Sequence, residues 1–471
     1  MSYQLHNRKM AIISSYFQGE RYGLLGPQMA ATVIQKHSSC ECIVIVLPNG
    51  FNAIHLKRAI RNYFGSQIPI VGFSNLSGRE DLISLAGELR SHGAVTILAG
   101  PQAAVDYCGE KGWLDWPHRF KGFSDHFTFA LQGPAEQIIP FIDDPENIKW
   151  EDLPGFTFLD RNGDFVRNPA KDWDRSYLDQ VRWDNIYTSG QAGLVPLQIA
   201  EGQVLQQIGC PWAAGNHRIG IDYPAAVSKM ADKRIHLISK GCSFCDVAVD
   251  KGFFGSLNSE TVLRQIKGLP DGSDGRKIPF ELINENPFSS LVSLIDECLS
   301  QGLGLSKIEL TVRVDGLLKG EKSLRSALHL ARKHKMVIAL ASVGFESFCN
   351  RILRNLNKGV SVSTNLKAVR LIRQLKKEFP FQFSYRRDEG GNHGFIHPTP
   401  WDSDETHIQN QQVIGNHGLD IDILPYHSTP LIIHHDSVLG DWIRAVEAEE
   451  GLCYPRKNSW IEWWEPPVQS P

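Results

Sequence analysis

No apolar run in this 471-residue chain approaches the roughly 18 residues that cross a bilayer. The opening MSYQLHNR carries no leader pattern either. A membrane-spanning or exported protein is therefore not expected. An excess of one charge is also missing: 49 Lys and Arg against 52 Asp and Glu leave a formal charge of −3. That balance offers no field for nucleic acid or an anionic membrane. Cysteine is sparse and odd in number, nine residues scattered along the chain. Such usage favours reduced thiols in a cytoplasmic protein, with a few bound to metal, over a disulfide framework. There is no second C-x2-C and no histidine pair at finger spacing, since His434 and His435 are adjacent, so no complete zinc site assembles from local pattern. Fixed-period repeats and low-complexity tracts are absent.

What is present is the composition of a globular protein, 42% hydrophobic and 21% charged, at a length for two or three domains. Over residues 1–145, helical spacing alternates with short β-branched runs: LLGPQMAATVIQKH before ECIVIVL, AIHLKRAIRNYF before IPIVGFS, EDLISLAGELRSH before AVTILAG. This is the pattern of crossover units around a parallel sheet. Such sheets hold ligands beyond the carboxyl ends of their strands. Asn49, Gly50, Ser74, Gly100, Pro101 and Gln102 stand there. They suit close backbone approach to a ligand, and equally plain turn chemistry.

Residues 146–198 change character and read as a connecting segment, with a hairpin signal at Arg161-Asn162-Gly163-Asp164. Over 199–400 the alternation resumes. RIHLIS, IPFELIN, KIELTVRV, MVIALASV and FQFSYR are separated by helical segments, which predicts a second series of parallel strands closing a full or partial barrel. Residues 401–471 read as a cap. HPTPWDSDETHIQNQQV predicts a turn into a helix capped by Ser403 or Asp404, and the tryptophan-rich tail suits a core edge or an interface.

One stretch stands apart. KGCSFC at 240–245 places Cys242 and Cys245 two residues apart, with Phe244 before the second. Two thiolates cannot complete a zinc site or a cubane cluster. Upstream, QIGCPW at 207–212 supplies Cys210 at a strand end. Two arrangements are open. Cys210, Cys242 and Cys245 form one set split by residues 211–241, or RIHLISKGC is the first barrel strand and the third thiolate lies elsewhere.

Taken together, the glycine-cysteine at a strand end, the aromatic before a second cysteine and the following β/α units resemble the radical S-adenosylmethionine superfamily. VGFESFCNRILRNLNKGVS at 343–361 is similar to the glycine-phi-glutamate-serine strand, helix and lysine-glycine turn of its cobalamin-binding branch. ILAGPQ and FALQGPAEQIIPF resemble that branch's N-terminal domain. The likeness extends over residues 8–400. The superfamily's C-x3-C-x2-C is absent, and so is a D-x-H-x-x-G for a lower cobalt ligand.

The resemblance implies an α/β chain: an N-terminal doubly wound, Rossmann-like domain of cobalamin-binding type, a partial (β/α)6 radical barrel and a small α/β C-terminal region. It implies a [4Fe-4S] cluster on Cys210, Cys242 and Cys245, because three thiolates leave one iron open to S-adenosylmethionine. Phe244, Asn284, Glu285, Arg313, Gly344 and Glu346 stand where the family contacts that cofactor. Asn284 and Glu285 would meet its amino group, Arg313 its carboxylate and Gly344 adenine, while Glu346 would hold ribose or anchor the barrel. Cobalamin would lie at the strand ends of residues 49–102. The implied reaction is methyl transfer to an unactivated carbon. A rearrangement or cyclisation without methylation, and a non-catalytic relative that only binds a ligand or partner, are the other readings. A small-molecule or peptide substrate and an electron donor such as flavodoxin or ferredoxin are the implied partners; no side chain is singled out as acting on substrate.

Overall fold

The computed structural model describes residues 8–469, apart from 75, 77, 101, 173, 180, 228–232, 246–252, 425–427 and 459. The chain forms two compact units, residues 1–202 with 456–459, and residues 203–455 with 460–471.

In the first unit, four buried apolar runs become parallel strands: β1 (Arg8–Tyr16), β2 (Cys40–Pro48), β3 (Ile70–Ser74) and β4 (Val95–Ala99). β1 pairs in parallel with β2 and β3, and β3 with β4. The chain thus runs outward from β1 on one side and then on the other, which puts a topological switch point at the carboxyl end of β1. Ile13, Ile45, Phe73 and Leu98 pack against Leu56, Ile60, Leu82 and Leu85 of the crossover helices. Both faces being covered explains the near-continuous apolar runs. A fifth parallel strand, β5 (Phe129–Leu131), follows beside β4.

Residues 146–198 are not a connecting segment. β6 (Phe156–Leu159) and β7 (Phe165–Arg167) form a hairpin that pairs antiparallel to β5, while β8 (Ile186–Gly190) pairs in parallel with β2 and carries β9 (Gly193–Pro196). The result is a nine-stranded sheet in the order β7-β6-β5-β4-β3-β1-β2-β8-β9. The proline- and aspartate-rich composition hid strands too short to show a period.

The second unit opens with β10 (Gly202–Leu205) and β11 (Gln207–Gly209), followed by β12 (Asn216–Asp222), β13 (Arg234–Lys240) and β14 (Phe253–Ser256). Then come β15 (Phe280–Ile283), β16 (Lys307–Arg313), β17 (Val337–Glu346), β18 (Phe383–Ser384) and β19 (Gly394–Phe395). The barrel sheet runs β10-β15-β16-β17-β18, with β19 also on β17. Its crossover helices include Ser259–Gly268 and Val362–Glu378, capped by Asn258 and Ser361, whose side chains accept from the backbone three residues on.

RIHLIS, expected among the parallel strands, is instead β13, an antiparallel partner of β12. Its residues alternate between exposed and buried, as one-sided antiparallel ribbons do. The inward side chains Ile219, Ile221, Ile235 and Leu237 share a core with Trp401, Leu431, Ile433, Leu439 and Trp442. The ribbon within 211–241 and the C-terminal region therefore fold as one body.

Asp222 anchors this ribbon. Its carboxylate accepts from Arg234 and Arg351 at 2.8 Å and from Arg354 at 3.2 Å, and its carbonyl accepts from the Trp401 indole at 2.8 Å. Burial alone would raise its pKa; the hydrogen bonds from Arg351 and Asn355 and the charge of Arg354 outweigh this and hold it below the usual carboxylate range. The guanidiniums are a third to a half exposed, which moderates the energy. We expect Asp222→Ala to cost about 2 kcal/mol in urea unfolding at neutral pH. A depressed folded pKa contributes stability above the unfolded value of about 3.9. The wild-type advantage should therefore be complete at neutral pH and fade as pH falls through and below that value.

Candidate functional site

The strands leading to Cys210 and Cys242 bear on the two cysteine arrangements. β10 lies in the barrel sheet beside β15, and the chain reaches Cys210 through β11. β13, which precedes Cys242, pairs only with β12 among the described strands. Because the ribbon closes on itself, with Asn216 opposite Lys240, its two ends return to neighbouring points. The thiol of Cys242 lies close enough to Cys210 for its charge to help raise the Cys210 pKa. The amide of Cys245 donates to the Cys242 carbonyl at 3.2 Å. Cys210 and Cys242 thus share a corner with Arg313 at the carboxyl end of the barrel, Cys245 follows in the turn after Cys242, and Phe244 packs against the core.

Two buried cations face that corner. Arg313 donates from Nη1 to the Cys242 sulfur at 3.5 Å, from Nη2 to the Lys358 carbonyl at 2.7 Å and from Nε to Asp315 at 3.1 Å. Its guanidinium lies 4.9 Å from the Trp212 ring centre. Lys358 donates to Glu346 at 2.7 Å in a pair whose side chains are only 6% and 12% exposed. Burial opposes both cations, yet Cys242 and Asp315 hold the Arg313 pKa up, and Glu346 and Cys242 do the same for Lys358. Burial pushes the Cys210 thiol up, partly offset by the Trp212 amide and by Arg313. Coordination by a metal would deprotonate such a thiol.

The loop 241–245 is tied down by the turn after the helix Asn350–Asn355. Ser243 donates from its amide to the Leu356 carbonyl at 3.0 Å and from its hydroxyl to the Asn355 carbonyl at 2.8 Å. Asn357 donates to the Gly241 carbonyl at 2.6 Å, and the Trp212 indole to the Asn357 carbonyl at 3.0 Å. A side chain at Gly359 would meet the Trp212 ring at 2.6 Å, so the lysine-glycine turn is what lets the indole seat. Asn357 and Ser243 carry no site signal in the sequence, and Lys358 is marked there only by its lysine-glycine turn. The lysine-glycine pair was the available signal.

The other residues expected around S-adenosylmethionine gather here, several with local partners. Asn284 donates to Gln206 at 2.8 Å and accepts from the Asn286 amide at 2.8 Å, locking the end of β15 to the end of β10. A side chain at Gly344 would strike the Lys358 ammonium at 2.6 Å and Glu346 at 2.8 Å. Glycine at that position admits the ion pair. Glu346 holds a left-handed backbone at φ 58°, a strained conformation that clusters at working sites. Glu285 is different. Burial raises its pKa against the pull of Lys358 and Arg313.

In the first unit, Asn49, Gly50, Ser74, Gly100 and Gln102 do line the carboxyl ends of β2, β3 and β4; Pro101 lies outside the described residues. Gly50 and Gly100 have φ of 74° and 128°, and a side chain at either would meet nothing within 4 Å. Their glycines serve the turn and leave the space in front open. The Ser74 and Ser14 hydroxyls lie 3.5 Å apart. Arg79, 4% exposed, donates to the Leu47 carbonyl at 2.8 Å and the Ser15 hydroxyl at 3.0 Å and pairs with Asp81. It binds the ends of β1 and β2 together.

Among the described residues no three His, Cys, Asp or Glu side chains converge on one metal ion. A cubane does not require that, since it spreads its thiolates over separate irons. No helix among them is long and apolar enough to cross a membrane.

No protein-family model matches the chain, and no curated protein matches it. Solved structures do. The cobalamin-dependent S-adenosylmethionine radical enzyme OxsB with aqua-cobalamin and S-adenosylmethionine bound aligns over 99% of this chain and 64% of its own, at 12% identity and a TM-score of 0.63. Its aqua-cobalamin form gives 0.64 over 99% and 65% at 12% identity, and its apo form 0.54 over 99% and 64% at 11%. The chain therefore has the fold of that enzyme, Rossmann-like domain and partial barrel together, and spans just under two thirds of its length.

Removing one member of a buried ion pair leaves the other uncompensated. Glu346→Gln should cost about 3 kcal/mol in urea unfolding, and Glu346→Gln with Lys358→Met should recover most of that loss. Equal losses in the single and double variants would show that the two charges are not coupled.

Proposed function

We propose that this chain is a radical S-adenosylmethionine enzyme that holds a [4Fe-4S] cluster on Cys210, Cys242 and Cys245, uses cobalamin, and methylates an unactivated carbon. The observation that supports it is the Cys242 sulfur 3.5 Å from the buried Arg313 guanidinium, beside the Lys358–Glu346 pair, with Cys210 within electrostatic reach and Cys245 in the same turn. Fold likeness to a cobalamin-dependent radical enzyme supports the same reading. Such a cluster supplies one-electron cleavage of S-adenosylmethionine, and cobalamin a transferable methyl group.

The residues then divide the work. Arg313 holds Cys242 and Lys358 in one geometry, and its charge together with that of Lys358 offsets the thiolates. Glu285 receives the cofactor's amino group. Because the nitrogens of Arg313 already donate to Cys242, Lys358 and Asp315, its part is to position the cysteine loop more than to clamp a carboxylate. Lys358 is the nearest further cation, balanced by Glu346. In the first unit, the open strand ends at Gly50 and Gly100 receive cobalamin.

Iron and acid-labile sulfide per chain after anaerobic reconstitution test the cysteine set. About four of each are expected in the wild type, with a sharp fall in Cys210→Ala; a full cluster in that variant would remove Cys210 from the set. Turnover of S-adenosylmethionine with no methylated product would overturn the methyl-transfer step alone.

A further inference from the structure

The barrel sheet carries an inner row unlike the filling of an ordinary barrel. By register, Glu281 of β15, Glu309 of β16, Ala339 of β17 and Ser384 of β18 stand side by side across four strands. The neighbouring row of Phe280, Ile308, Ile338 and Phe383 is buried and apolar, which makes it the helix-covered face. Barrel interiors are otherwise packed with branched apolar side chains. Here Gln203 donates to Glu281 at 3.2 Å, Thr311 donates to it at 3.0 Å, and Lys307 pairs with Glu309. Ser342, beside Thr311 in the register, adds a hydroxyl on the same face. Glu281, Thr311 and Ser342 all keep part of their surface open. A polar lining with open surface suits a ligand better than a packed core.

Two observations say which chemistry it would take. The first is charge. Lys307 is matched by Glu309, Lys358 by Glu346 and Arg313 by Asp315. Among the described residues Glu281 has no cation for a partner, only an amide and a hydroxyl. Its charge helps raise the pKa of Glu285, so it faces the space that Glu285 shares with Arg313 and Lys358. A carboxylate held there by neutral donors favours an incoming cation. The second is Ser384, in the same row. It is 9% exposed, and its hydroxyl has no hydrogen-bond partner among the described residues. A buried hydroxyl left unpaired is costly, and a polar ligand group would relieve that cost.

We infer that the barrel interior binds a small hydroxylated amine as substrate, with Glu281 holding the protonated amine and Thr311, Ser342 and Ser384 meeting its hydroxyl groups. The inference rests on the enzyme reading for its purpose, though not for the binding itself. Glu285, four residues further on, stays with the cofactor's amino group, so each of two ammonium groups has its own carboxylate. Glu281 is then a specificity-determining residue that selects charge, and the hydroxyls select a polar frame.

Calorimetric titration of the full chain with D-glucosamine tests this, without reconstitution or S-adenosylmethionine and at a pH where the amine is protonated. The wild type should bind glucosamine about tenfold more tightly than D-glucose, which has a hydroxyl in place of the amine. Glu281→Gln, which keeps an acceptor for Gln203 and Thr311, should lose about that factor for glucosamine and leave glucose unchanged. Ser342→Val should weaken both sugars, and it carries the test if Glu281→Gln unfolds early in urea. Equal binding of the two sugars, no binding of glucosamine, or unchanged affinity in both variants would overturn the site. Loss in Glu285→Gln with none in Glu281→Gln would overturn the assignment of the amine to Glu281. A chain that takes up no cluster yet binds glucosamine through Glu281 refutes the cluster reading and leaves the site standing. A full cluster with no glucosamine binding does the reverse.

Discussion

The guanidinium of Arg313 is the contact on which the second unit's working end depends. It reaches a sulfur on one loop, a carbonyl on another and a carboxylate at the start of its own helix, while an indole from a third segment lies against its plane. A planar fork with five donors can serve so many partners in fixed directions; an ammonium cannot. Each partner is also held elsewhere. Cys242 sits in a loop tied to residues 355–357, Lys358 is paired to Glu346, and Trp212 is seated over Gly359. Burial of two cations so near each other is tolerable only because a carboxylate and nearby thiols share the space. The same positive field suits thiolates on a metal centre.

The long segment between Cys210 and Cys242 need not separate them, for a simple reason. An unstructured loop would leave its two ends free to wander. A ribbon paired along its length returns its ends to one place, because Asn216 and Lys240 are opposite each other. The far end is fixed through Asp222 and a core shared with the C-terminal tryptophans. Insertion and tail thus stabilise each other, and the cysteines inherit the rigidity of that body.

In the first unit the sheet is made from the inside outward. Parallel strands with both faces covered form the centre, and short antiparallel pairs finish each edge. The carboxyl ends near β1 combine turn glycines with open space and a buried arginine that ties strand ends together. Open backbone beside a switch point is where this class of sheet receives ligands.

Residues in repeating surroundings were legible from sequence. The apolar runs of β1–β4 and the helical periods between them follow from burial on both faces, and local spacing announced Cys242, Cys245 and the turn at residues 161–164. The exposed-buried alternation of RIHLISK was also there to be read, although its run of apolar residues resembles a barrel strand. What the chain order could not state was which distant groups meet. Arg313 and Lys358 are 45 residues apart, and Asp222 finds Arg351 129 residues away. Such meetings depend on strand register and on the path of the ribbon. Composition sets how much polar charge must be buried or exposed, and tertiary packing alone determines which charge is placed against which.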